Sequence, residues 1–453
     1  MRVSLYVPTL ALALALTTHA TAKSVEEAAA GDPKIPYEMY KLDNGIEVIL
    51  VSDRSQPIVA VNVWYHVGSG YETPGKSGFA HLFEHMMFQG SKHVGDDRHF
   101  EVLRKIGAEG VNGTTNPDRT NYFEIVPSNQ LETGLWLESD RLAFLLEKVT
   151  KKSLDNQIDV VRNERRQRYD NVPYMKARFA LASALYPEGH PYRYLTIGKH
   201  EDLVAAHVED VKDFFRTWYV PANATLALVG DFDPAVAKKL VDKWFARFPK
   251  SVKSGVVKVP TPPVRPHEVT VEDEFAKLRQ ITFAWTSPAN FDPGDAELDI
   301  AANALVREGP GRLYKALVYE RPLAQSIRAS QNGQSFSGTF DITVQLRPEA
   351  DIAEVKRIVA AEVGRLGKEP LGAPEIARVI VANEAASIRR IETVMGRAEM
   401  LQLYNHYLGH PDKLSWDLDR YRKATPEAIR AVVAKYLVPD KFVTVITTPK
   451  EKR

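Results

Sequence analysis

The period of the hydrophobic pattern changes several times along the chain, and each change marks an element. Two short runs, Tyr37 to Tyr40 and Glu47 to Ser52, flank Asp43-Asn44-Gly45. An Asn-Gly pair between apolar runs signals a hairpin, because both residues tolerate the positive φ of a tight turn. The longer run Ile58 to His66 is rich in β-branched and aromatic residues and predicts a strand. Period-2 alternation returns over Asn121 to Val126 and over Thr225 to Val229. Helical spacing governs Ser153 to Tyr169, where Ile158, Val161 and the aliphatic stem of Arg165 share one side. It also governs the stretch beginning near Val208 and the stretch Pro426 to Lys435.

This order occurs twice. Trp218-Tyr219-Val220-Pro221 and Tyr436-Leu437-Val438-Pro439 each follow a helix and precede a strand, with Pro221 and Pro439 offset by 218 residues. The strands ending at Trp64 and Trp285 are offset by 221. Two near-equal offsets predict a duplicated domain. Between the copies, Pro260, Pro262, Pro263 and Pro266 defeat helix and central strand alike and predict a semi-rigid linker. The expected organisation is a leader over 1–22, a first domain over 23–250, a linker over 251–266 and a homologous second domain over 267–453. The fold class is α+β, each domain an antiparallel-rich mixed sheet packed with helices.

Composition narrows the class. With 44% hydrophobic and 26% charged residues the chain is of globular type, and a net charge of +1 gives no reason to expect nucleic acid as a partner. The basic cluster Arg162 to Arg168 is broken by Glu164 and reads as a solvated helical face. Arg2, the apolar run Leu5 to Leu16 and Ala20-Thr21-Ala22 form a secretory leader pattern, so export to the periplasm or medium is expected. That run is too short to span a bilayer comfortably, and no other stretch is apolar enough, so no membrane span is expected after leader cleavage. Cysteine is absent, which excludes disulfides, thiol nucleophiles and thiolate metal sites.

Any metal site must then come from His, Asp and Glu. His81-Leu82-Phe83-Glu84-His85 supplies one. On a helix, positions i, i+3 and i+4 are neighbours, so both imidazoles can grip one ion with Glu84 beside the water that completes its coordination. Zinc in hydrolases takes three protein ligands, His₂Glu among them. Spacing alone leaves Glu138, Glu147 and Glu164 open as the third. Chance matches of this motif are rare in a chain with only 12 histidines. The second copy has no histidine between His267 and His406, and the counterpart helix, Glu297 to Val306, offers no ligand pair. Catalysis is therefore expected in the first copy alone. His66, His93 and His99 read as surface or hydrogen-bonded histidines, and Gly309-Pro310-Gly311 lacks the G-K-[ST] of a phosphate loop.

These motifs resemble the pitrilysin-type zinc metallopeptidases, the inverzincin group that includes insulin-degrading enzyme and the mitochondrial processing peptidase. Family members carry H-x-x-E-H and a ligand glutamate roughly 75 to 80 residues later in a V-V-x-x-E context. Here Glu164 follows His85 by 79 residues, in Val160-Val161-Arg162-Asn163-Glu164. The resemblance extends over Gly113-Thr114-Thr115, Asp118 to Phe123, Val229-Gly230-Asp231 and Gly309 to Tyr314. It implies one Zn²⁺ per chain held by His81, His85 and Glu164, and Glu84 as the base that activates zinc-bound water for peptide hydrolysis. It implies a substrate strand added near Asn121 to Val126, with Asn112 and Gly113 beside it. Gln157 stands where the family often has a supporting glutamate, and it can hydrogen-bond but cannot act as a base. Arg312 and Tyr314 read as structural rather than as holders of substrate carbonyls. The family's full clamshell has four such domains, so this two-domain chain is expected to pair with itself or with a non-catalytic relative. The competing readings are a non-catalytic subunit of the same fold and a zinc-binding carrier of peptides.

Overall fold

The computed structural model describes residues 31–96, 98–255 and 259–450; the leader expected over 1–22 lies outside the described residues. Six strands form the first sheet: β1 (Glu38–Lys41), β2 (Glu47–Ser52), β3 (Ile58–Tyr65), β4 (Glu109–Thr115), β5 (Thr120–Pro127) and β6 (Ala224–Gly230). Five form the second: β7 (His267–Asp273), β8 (Gln280–Ser287), β9 (Ala324–Gly333), β10 (Gly338–Leu346) and β11 (Val443–Pro449). Their orders are β1-β2-β6-β3-β5-β4 and β7-β11-β8-β10-β9. Without β1 the orders are the same, down to the parallel pairs β2·β6 and β7·β11 among antiparallel neighbours. The duplication read from the sequence is a duplication of topology, and the fold is α+β with two such domains. Between the helix Pro234–Phe245 and β7, the described residues form no helix or strand.

The Asn44-Gly45 hairpin joins β1 to β2 as expected. Gly45 sits at φ 106°, and a Cβ there would lie 2.8 Å from the Ala222 side chain, so both conformation and space require glycine. Asn44 ties the turn down by donating to the Phe245 carbonyl at 2.7 Å.

Two expectations about strands change. Thr225 to Val229 was expected to alternate between a buried and an exposed face, yet every residue of β6 is buried. The reason is a helix from the second half, Val394–Leu408, which covers the face of the first sheet turned away from its own helices. Val394, Ala398 and Leu401 pack there on Ile49, Val51, Ala60, Ala227 and Val229. Strands covered on both faces lose their polar positions. Asn121 to Val126 was expected near an exposed edge, but β5 is internal, between β3 and β4. The edge is β4, since the intervening turn folds the preceding segment outward.

Polar side chains stitch the same helix to the sheet. Gln402 donates to the Asn62 and Thr225 carbonyls at 3.0 and 2.9 Å. His66 and His406 meet through their Nδ1 atoms at 2.7 Å, and His66 Nε2 contacts Thr225 Oγ1 at 2.9 Å. Burial pushes His406 down to about 3, with Lys253 and Arg119 adding to it, and burial followed by His406 lowers His66. Both rings are therefore neutral, and one proton serves the shared bond.

Imidazoles depressed in the folded state bind fewer protons than in the unfolded chain. Their stabilisation is complete above an unfolded value of about 6.5 and is lost as pH falls toward the folded values. Denaturant unfolding at pH 7 and pH 5 should show about 1 to 2 kcal/mol lost for His406, and His406→Gln should flatten that decline.

A candidate metal centre beside an edge strand

The motif helix α1 (Phe79–Met86) is amphipathic in a way that fixes its chemistry. Phe79, Ala80, Leu82, Phe83 and Met86 are buried, and the Phe83 ring lies 4.2 Å from that of Tyr219. That packing sets the rotation of the helix and turns His81 and His85 to the opposite side. Its first turn is anchored by Glu72, whose carboxylate accepts from Gly78 N at 3.0 Å and Ala80 N at 2.8 Å. Burial pushes this carboxyl up to about 8 against those two bonds, so it anchors the turn by accepting from N–H groups that the helix start leaves unpaired.

The helix α2 (Arg98–Lys105) follows, then, after the β4–β5 hairpin, α3 (Leu131–Phe144) and α4 (Lys151–Arg165). α4 lies against α1 with Leu154, Ile158 and Val161 buried, which brings Glu164 to the histidines. Glu164 Oε2 is 3.1 Å from His85 Nε2 and 3.6 Å from His81 Nε2. A widened turn, Arg166–Asp170, continues α4 and lets Arg168 donate to Glu164 Oε1 at 2.8 Å. Burial, then His85, push His81 below the usual imidazole range, while the bond from His85 holds Glu164 low. A neutral imidazole and an ionised carboxylate are the forms that bind metal.

The donor set fits zinc. Two imidazole nitrogens and one carboxylate oxygen, with ligand atoms all within 4.8 Å of one another, are the nitrogen and oxygen ligands of a His₂Glu site. The chain has no cysteine, so no thiolate competes for the ion. His81 Nδ1 is buried without a hydrogen-bond partner, so nothing competes to turn that ring away.

Glu84, between the two histidines in sequence, reaches β4 while staying close enough to His85 and Glu164 to feel their charge. Its Oε2 accepts from Thr115 Oγ1 at 2.5 Å, and burial raises its carboxyl against that bond. A Cβ on Gly113 would lie 3.2 Å from Glu84 Cγ, 3.1 Å from Phe88 and 3.2 Å from Tyr122. Glycine at 113 thus serves the approach of Glu84 to the strand. Asn112 is exposed on the same strand. Gln157 is buried on α4, two turns before Glu164, and its amide supplies no carboxylate to the group. The structure brings together His81, Glu84, His85, Glu164 and Gly113. Thr115, Arg168 and Glu72 were missed: Thr115 lies in a quoted motif with no role assigned, and Glu72 precedes the helix through a loop without periodicity.

A second donor group, His99, Glu124 and Glu138, is fully buried behind β5. Arg141 binds both oxygens of Glu138. Neither Glu124 oxygen has a conventional partner, and burial followed by Glu138 pushes that carboxyl far up. One proton on Glu124 makes two carboxyls and one guanidinium neutral, whereas a divalent ion would leave net positive charge in the core. The cluster is better closed by a proton than by a metal. His99, expected at the surface or in a hydrogen bond, is instead buried against Phe88 with Nε2 unpartnered. His66 bonds as described, His93 Nδ1 lies 2.6 Å from Asp140, and Arg312 pairs with Glu375.

The chain is similar to known proteins in sequence and in fold. Residues 47–190 match the family model described as insulinase (peptidase family M16), and 206–382 match the M16 inactive domain. The zinc protease PqqE of Helicobacter pylori is 26% identical over 385 residues, covering 83% of this chain and 84% of that protein. A crystal structure of a protease from Helicobacter pylori superposes with a TM-score of 0.83 at 22% identity, over 91% of this chain and 99% of that one. The periplasmic protease PqqL from Escherichia coli gives a TM-score of 0.77 at 16% identity, over 93% of this chain but only 48% of that one.

Gly113→Ala should lower stability by about 1 kcal/mol or more, because its Cβ meets three packed side chains at once. Urea unfolding of the purified variant measures it, and unchanged stability would show that the Glu84 contact is slack.

Proposed function

Given that the chain belongs to peptidase family M16, the insulinase family, we propose that it is a zinc-dependent endopeptidase acting on unfolded peptides or small proteins. The observation that carries the proposal is the convergence of His81, His85 and Glu164 with the Glu84 carboxylate alongside. In this reading His81 Nε2, His85 Nε2 and Glu164 Oε2 hold one zinc ion. Bound there, zinc supplies Lewis acidity, polarising the scissile carbonyl and lowering the pKa of water.

The rest falls to the chain's own groups. Thr115 occupies Oε2 of Glu84 and fixes the carboxylate's rotation, leaving Oε1 to accept the proton of the attacking water. Glu84 then passes that proton to the leaving amine. Burial raises its carboxyl, which makes it a stronger base than a solvated glutamate. β4 pairs only with β5 within the sheet, so its outer N–H and C=O groups can take an extended peptide as a further strand. In this reading Asn112, exposed on that strand, meets the substrate, and Gly113 keeps the strand close to Glu84.

The non-catalytic reading is disfavoured by the intact donor group of the first domain. The second domain makes the contrast: its helix Asp295–Val306 has no histidine, and among the described residues it holds no donor group. A chain spanning 48% of a homologous fold suggests two such halves acting together, as a homodimer or with a non-catalytic relative. The leader pattern supports export, and PqqL is described as periplasmic.

Purified chain should carry one zinc, and Glu84→Gln should keep the metal while cleavage of a quenched peptide falls by about 10² to 10⁴. His85→Ala should lose zinc and activity together. Equal turnover by wild type and Glu84→Gln would overturn the proposal.

A further inference from the structure

Asp118 lies at the turn between β4 and β5, three residues from Thr115, and the residue is 1% exposed. Its oxygens accept three hydrogen bonds. Tyr192 Oη donates to Oδ1 at 2.7 Å, while Tyr407 Oη at 2.7 Å and Ser335 N at 3.0 Å donate to Oδ2. Tyr192 is in the first half; Tyr407 and Ser335 are in the second. Tyr192 Oη in turn accepts from Phe336 N at 3.0 Å. Among the described residues no Lys, Arg or His forms an ion pair with Asp118, and neutral donors, two of them from the second half, satisfy the buried carboxylate.

The turn transmits this hold to the candidate centre. Asn116 Oδ1 accepts from Asp118 N and Arg119 N, both at 2.8 Å, which makes the turn rigid. Arg119 Nη1 donates to Thr114 O at 2.9 Å and Asn121 Oδ1 at 3.2 Å, bracing the two strands. Asn121 and Asn62 both donate to Glu399 of the helix Val394–Leu408, at 2.9 and 2.6 Å. Thr115, opposite Thr120 on the braced hairpin, holds Glu84.

We propose that Asp118 is a positioning residue through which the second half fixes the β4–β5 hairpin, and with it the Thr115–Glu84 contact. This rests on the peptidase reading for its kinetic consequence, but not for its structural one. The second half then contributes to the site without supplying a reacting group: it sets where the edge strand stands relative to the base.

The test compares wild type with Asp118→Asn, Tyr407→Phe, their double variant, and Arg397→Gln as a control. Arg397, on the same helix, pairs at 2.6 Å with Asp53, which follows β2 and lies away from the hairpin. Hydrogen exchange should speed up in 109–127 for Asp118→Asn and Tyr407→Phe, but not for Arg397→Gln. With a quenched unfolded peptide, kcat should fall roughly tenfold or more while KM moves less than about threefold. Zinc content should stay unchanged, and the double variant should lose little beyond Asp118→Asn. Exchange in the hairpin equal to wild type would overturn the proposal, as would a loss shared by Arg397→Gln. Absence of Glu84-dependent cleavage in wild type would instead overturn the peptidase reading, and exchange would still decide this one.

Discussion

β3 is buried on both faces, and each face is covered by a different half of the chain. On one side Val59, Val61 and Val63 join the core that holds Leu82 and Phe83 of α1; on the other, Ala60 meets the helix Val394–Leu408. Removing that helix would expose Ile49, Val51, Ala60, Ala227 and Val229 on the backs of β2, β3 and β6 and leave Asn62 without its partner Glu399. The second half is therefore part of the first half's core. This constraint explains why a domain without metal donors is retained, and why the β4–β5 hairpin, continuous with β3, answers to both halves.

Charge is managed differently in different parts of the first domain. The Glu124–Glu138–Arg141 cluster closes to neutrality with one proton, and the His66–His406 pair stays neutral because a charged ring there would be desolvated. Asp118 keeps its carboxylate buried through three donors. At the candidate centre the balance is open: neutral His81 and an ionised Glu164 converge, and Arg168, largely exposed, compensates only weakly. A buried core tolerates polar groups by satisfying them; a metal site leaves donors converging for an ion.

Much of this was legible in the chain. The H-x-x-E-H spacing placed both imidazoles on one helix face because 3.6-residue periodicity admits no other arrangement, and the prolines and paired tryptophans located the repeat. Asn44-Gly45 specified its hairpin locally. What escaped were relations made by tertiary contact. Thr225 to Val229 looked half-exposed because the helix that covers it lies some 170 residues away in sequence. Spacing could not choose between Glu164 and Glu138; in the structure Glu138 is turned into the core against Arg141 while Glu164 faces α1, which is why Glu164 is the one proposed. Asn121 to Val126 has the alternation of an edge strand, and only the sheet order reveals that β4 lies outside it.

The central claim is that one metal binds between α1 and α4 and nowhere in the buried cluster behind β5. A crystal structure of zinc-loaded protein, with anomalous data on both sides of the zinc edge, tests it most directly. The account predicts a single anomalous peak bonded by His81 Nε2, His85 Nε2 and Glu164. A peak among His99, Glu124 and Glu138, or none at the α1–α4 site, would contradict it.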